Sequence, residues 1–136
     1  MKRLMGLLIA LSFGFALAAL NGIPKDAQGF ASWKKVVTTG LPMEGPHAGK
    51  NKLVYANPVA AKAWAGKAAL PVGSLVVKTA GNASAPGFVA IMRKTAKGWE
   101  YEEYTAKSGA YSVILKGAAC ESCHEKAKDK DYLFTR

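Results

Sequence analysis

Cys120-Glu121-Ser122-Cys123-His124 puts two thiols three positions apart with an imidazole directly after them. On one helical turn, side chains at i and i+3 share a face. Both sulfurs can then add across the vinyl groups of one haem, while the histidine is carried beneath the ring to ligate iron. The same residues also permit a redox-active Cys120–Cys123 disulfide. With His47 as the only further nitrogen donor, they permit a zinc site as well. Only two cysteines are present, so a disulfide framework is excluded. The reading carried forward is one covalently attached haem c per chain, with Cys120 and Cys123 as its tethers and His124 as the iron ligand.

No methionine or histidine follows His124. A second iron ligand could come only from Met43, His47, Met92 or a lysine. Each of these sits where a loop or core role explains it equally well, so the expectation is five-coordinate iron with an open distal face. Open iron binds small molecules. A six-coordinate electron carrier, closed by one of those three residues, is the alternative.

The remainder of the chain must position this motif. Lys2 and Arg3 precede an apolar run from Leu4 to Leu17 that ends in Ala16-Leu17-Ala18. This layout predicts a signal peptide over 1–18, a periplasmic or exported protein, and one domain over 19–136. Half the 136 residues are apolar and 21% are charged, which excludes disorder as the default. The net charge of +10 is strongly basic, but an exported chain with no recognisable nucleic-acid module is not expected to bind nucleic acid. Lys126, Lys128 and Lys130 beside the haem motif either form a solvated face or steer an acidic redox protein.

Phe30, Trp33, Val36 and Val37 fall at helical spacing after Asp26, a candidate N-cap, and before Gly40. Pro42 to Gly49 reads as a loop, and Lys52 to Tyr55 as a short strand. Asn57-Pro58 opens a helix, with Asn as the cap and Pro at the first helical position. Strands are predicted over 75–78, 87–92 and 99–105, with Lys97-Gly98 turning the last two into a hairpin. A final helix covers 118–128. The fold class is α+β, mainly antiparallel sheet with a few short helices and a C-terminal haem-binding helix. The pattern shows three β-branched or aromatic runs rather than four long amphipathic helices, so a helical-bundle cytochrome is not expected.

Several pieces carry a family likeness: Val54-Tyr55-Ala56-Asn57-Pro58 with Trp64, Gly73-Ser74-Leu75-Val76-Val77-Lys78, Trp99-x-Tyr101, and the haem motif followed by Asp131-Tyr132-Leu133-Phe134-Thr135-Arg136. In this order and spacing they resemble the cytochrome P-460 family, which includes the cytochromes c′-beta. The resemblance implies a mainly β, usually homodimeric protein. It also implies either hydroxylamine oxidation or nitric oxide binding at an apolar distal face. Lys78 matches the strand lysine that oxidising members link covalently to the haem edge. Lys52 stands where those members carry a distal arginine. The glutamate they use as a base falls at or near Val89, and no carboxylate occurs from Lys78 to Arg93. The expectation therefore leans towards nitric oxide, with Phe30, Trp64, Phe88 and Val89 as the apolar distal wall. Hydroxylamine oxidation is the enzymatic alternative.

Overall fold

The computed structural model describes residues 20–136 apart from 83, so the expected signal peptide lies outside the described residues. Six strands form one antiparallel sheet in the order of the chain: β1 (Lys34–Val37), β2 (Leu53–Ala56), β3 (Leu75–Asn82), β4 (Ala85–Thr95), β5 (Gly98–Lys107) and β6 (Ala110–Lys116). Among the described residues two α-helices accompany it, α1 (Pro58–Ala63) and α2 (Ala118–His124), and α2 runs on into a 3-10 segment, Glu125–Lys130. The expected α+β class with a dominant antiparallel sheet is what the chain adopts.

Because strand side chains alternate between faces, register decides which residues meet. Across β3, β4 and β5, Lys78, Ala90 and Glu103 stand in one row. Rows Val76–Met92–Tyr101 and Ala80–Phe88–Thr105 flank it on the same face. The opposite face carries Val77–Ile91–Glu102 and Thr79–Val89–Tyr104. Each face has its own core. Phe30, Tyr55, Val77, Val89 and Ile91 pack on one side. On the other, Val54, Val76, Met92, Tyr101, Cys120 and Leu133 pack beneath the C-terminal segment.

Local chemistry explains the elements on the second face. Asn57 Oδ1 accepts from the Ala60 amide at 2.9 Å and Pro58 begins the helix, so α1 starts as expected. The helix ends where Arg136 donates to the carbonyls of Ala63 and Trp64, both at 3.4 Å.

Three expectations fail for identifiable reasons. The helix predicted from Phe30 to Val37 is a single 3-10 turn, Phe30–Ser32, followed by β1. A short apolar run carries no decisive period, and pairing of the Val36-Val37 end with β2 offers ladder bonds that an isolated turn lacks. Asp26 caps nothing; its carboxylate accepts from Arg93 at 2.8 and 3.0 Å. The hairpin turns through Ala96 and Lys97, with Gly98 already pairing with Thr95. Strand β6 had no counterpart in the sequence reading.

Candidate functional site

Helix α2 leaves β6 and returns over the sheet face that bears Lys78 and Glu103. Cys120 and Cys123 are unpaired thiols on it, Cys120 buried and Cys123 partly so. Burial pushes the Cys120 thiol above its ordinary pKa, helped by the nearby charge of Glu103. A protonated, buried thiol is a poor redox nucleophile. Among the described residues, no three His, Cys, Asp or Glu side chains converge as a metal-ion cluster, which counts against the zinc reading.

His124 is held on one side only. Its Nδ1 donates to the Tyr132 carbonyl at 2.7 Å, which leaves Nε2 as the ligand atom. Tyr101 packs 4.8 Å from its ring centroid and Phe134 5.5 Å. Burial lowers the His124 pKa, with the charges of His47 and Lys78 adding to it and the Tyr132 bond opposing. A neutral imidazole is the form that binds a metal.

Tyr132 owes its place to Asp131, a side chain 7% exposed. One Asp131 oxygen accepts from Lys94 Nζ at 2.7 Å and Trp99 Nε1 at 3.2 Å. The other accepts the Leu70 amide at 2.7 Å. Burial alone would raise this carboxyl, but those three donors outweigh it and hold the pKa below its ordinary value. Sequence reading noted Asp131 only as part of the family likeness. Its role depends on partners 61, 37 and 32 residues away.

Above the same face runs segment 38–52, between β1 and β2. Gly49 presses it onto β3: a Cβ there would stand 2.6 Å from Ala80 Cβ, and its φ of +149 also favours glycine. The Gly81 amide donates to the Lys50 carbonyl at 3.0 Å. Lys52, expected as the counterpart of a distal arginine, is buried and spends its ammonium on the Pro42 carbonyl. These contacts deliver His47 to the site. Its ring centroid lies 5.7 Å from Phe88 and 6.4 Å from His124. His47 Nδ1 is 3.1 Å from Glu103 Oε2, an ion-pair distance, although the direction is poor for a hydrogen bond. A cavity of about 490 Å³ opens beside this loop, lined by Gly49, Lys50, Ala80, Phe88, Glu103 and Thr105.

The expected distal wall is only partly assembled. Phe88 faces this site, but Val89, one residue along β4, points to the opposite face, and Phe30 packs there too. Both are corrected from distal candidates to the other core, because a strand turns successive side chains to opposite sides. Trp64 is on the correct side of the sheet, yet it packs at the end of α1 beneath the Arg136 guanidinium, 5.9 Å from its ring. Lys78 does face the site. Burial and the neighbouring Lys52 charge lower its pKa, with Glu103 opposing.

The carboxylate sought on β4 stands instead on β5. Glu103 is 9% exposed, in line with Lys78 across Ala90. A bulge between Glu103 and Tyr104 in the β5–β6 pairing lies directly at this residue. The sequence signal was the break in alternation at Glu102-Glu103, where one of two adjacent acids must face inward.

These residues fit a haem. Two unpaired thiols sit three positions apart beside an imidazole with Nε2 left over, on a sheet face lined by Val54, Val76 and Met92. This geometry fits a cytochrome whose haem site is carried on an antiparallel sheet rather than in a helical bundle. The chain belongs to the cytochrome P460 family, whose model matches residues 27–135. No curated protein matches the chain.

Proposed function

We propose that this cytochrome is exported, holds its haem covalently through Cys120 and Cys123 with His124 on the iron, and oxidises hydroxylamine. The observation that carries the reading is the Lys78–Ala90–Glu103 row beneath the haem helix. When bound, the haem supplies one-electron chemistry at iron and a place for a small nitrogen ligand. Removing electrons from hydroxylamine releases protons, and a buried carboxylate on that face can accept them. Glu103 is such a group, whereas the lack of a carboxylate on β4 by itself favours simple gas binding. Lys78 supports the cross-link reading. Joining Nζ to a haem ring carbon replaces one C–H and one N–H bond and gives up two protons and two electrons to an oxidant such as a peroxide. Burial beside Lys52 favours the neutral amine that this bond needs. Electrons would leave to an acidic redox protein, drawn by the basic residues Lys126, Lys128 and Lys130.

Turnover of hydroxylamine by the haem-loaded protein with an artificial electron acceptor tests this. Glu103→Gln should cut the rate by about 10²-fold, the usual scale for a lost general base. No turnover in the unaltered protein overturns the enzymatic reading. Mass spectrometry of the digested holoprotein tests the link, since a free Lys78 peptide would exclude it. Replacing Cys120 and Cys123 by serine should leave no haem attached under denaturing conditions.

Nitric oxide binding stands as a second reading, favoured by Phe88 and by the small apolar residues Ala80 and Ala90 beside it on the same face. The homodimer implied by the resemblance has a surface available. Edge strand β6 exposes Val113, Ile114 and Leu115, and long apolar edges seek a partner. Sedimentation of the purified protein tests that expectation.

A further inference from the structure

We propose that His47 is an exchangeable second ligand to the haem iron, closing the site at rest from the face opposite His124. The proposal rests on the haem assignment above and adds to it a residue that the family likeness does not single out.

Three observations carry it. The two imidazole ring centroids lie 6.4 Å apart, with the ring planes inclined at 61°. Two metal–imidazole bonds of about 2 Å each, with the half-widths of two rings, span close to that distance. His124 is oriented through Nδ1 by the Tyr132 carbonyl, as metal-bound histidines are, through the nitrogen that does not bind metal. His47 Nδ1 lies 3.1 Å from the Glu103 carboxylate without a directed hydrogen bond. Finally, the loop is built to bring this residue here. His47 adopts a φ of +59, and Gly49 allows an approach to β3 that any Cβ would block. A non-glycine residue in that conformation is uncommon and persists where its surroundings over-determine it. The two methionines do not compete on the same terms. Met43 is 61% exposed, and Met92 is buried in the apolar cluster with Tyr101 and Leu133.

The support of His47 also makes the bond replaceable. Its contact with Glu103 is poorly directed, and Gly40, Gly45 and Gly49 all have positive φ in a segment without helix or strand. A small ligand can therefore take the position when the loop lifts.

Optical and electron paramagnetic resonance spectra of the haem-loaded protein decide the matter. The unaltered protein should be six-coordinate and low-spin. His47→Ala should keep its haem and become high-spin, added imidazole should restore the low-spin spectrum, and nitric oxide should bind at least tenfold faster. His47→Met, which retains a ligand of similar reach, should remain largely low-spin, so a poorly folded alanine variant does not leave the idea without a test. High-spin haem in the unaltered protein, or a low-spin spectrum that survives in His47→Ala, overturns the assignment. Protein that emerges from a host competent for haem attachment without covalent haem overturns the haem reading itself, and His47 with it.

Discussion

His124 and His47 confront each other from supports of opposite kinds. Behind His124 stands a short helix and the segment after it, locked to the sheet by the Asp131 carboxylate and its bonds to Lys94, Trp99 and Leu70. Behind His47 stands a segment with no helix or strand, pinned by backbone contacts at Gly49 and Lys50 and by one misdirected contact to Glu103. One imidazole is mounted by buried, charge-assisted bonds, the other by close packing of small residues. On the ligand assignment proposed above, the contrast is how one sheet would give a haem a permanent ligand and a removable one. A buried ionic hub is costly to break once formed, whereas a glycine-rich loop opens locally at small cost.

The largest effect that would break this contrast is expected at Asp131. Asp131→Ala leaves the Lys94 ammonium, 16% exposed, without its partner and frees the Tyr132 carbonyl from its place. The expected loss is about 3 kcal/mol of unfolding free energy, measured by denaturant titration of the holoprotein, together with a disturbed His124 ligand spectrum. A loss below about 1 kcal/mol would show that the two supports are not so different.

Next in size is Gly49→Val. A branched side chain at 2.6 Å from Ala80 Cβ forces the loop off β3, at a cost of about 1–3 kcal/mol. The haem should stay attached while the low-spin fraction falls, which optical spectra would read. If the low-spin fraction is unchanged, the loop does not depend on this contact.

A pH titration sharpens the comparison further. The folded-state pKa of Asp131 lies below its ordinary value of 3.8. Its contribution is therefore fully present above the unfolded pKa and is lost as pH falls through the lower folded value. The stability gap between the unaltered protein and Asp131→Asn should be constant near neutrality and shrink below about pH 4. A gap that held steady into strong acid would mean that the carboxylate charge contributes nothing.

The smallest effect is a control remote from both mounts. Asn57→Ala removes the α1 cap and the bond from Asn57 Nδ2 to the Gly73 carbonyl. It should cost about 1 kcal/mol in thermal or denaturant unfolding and leave the haem spectrum unchanged. A spectral change there would mean that the ligands respond to general loosening and not to their own supports.

Much of the fold was legible because its signals are local. Asn57-Pro58 announces α1, and the β-branched run at Leu75-Val76-Val77 announces β3. The α+β class followed from the same reading. Where the signal was weaker, the error was physical. Phe30 to Val37 fits a helical period as well as a strand, and only pairing with β2 settles it. The haem motif was readable because its spacing is itself the chemistry. Glu103 was not, because in Glu102-Glu103 the acid that turns inward is fixed by register with Ala90 and Leu115. Val89 failed as a distal residue for the same reason, a shift of one residue on a strand with a period of two.

By itself, the sequence determined the Cys120–Cys123–His124 motif, the basic character of the chain and the capped start of α1, since each depends on residues within a turn of one another. Tertiary structure alone decided that Lys78 and Glu103 share a face, that Asp131 anchors the ground behind His124, and that His47 reaches across to it. Such meetings are set by strand register and by where a loop lands, and neither is encoded within the few residues that take part.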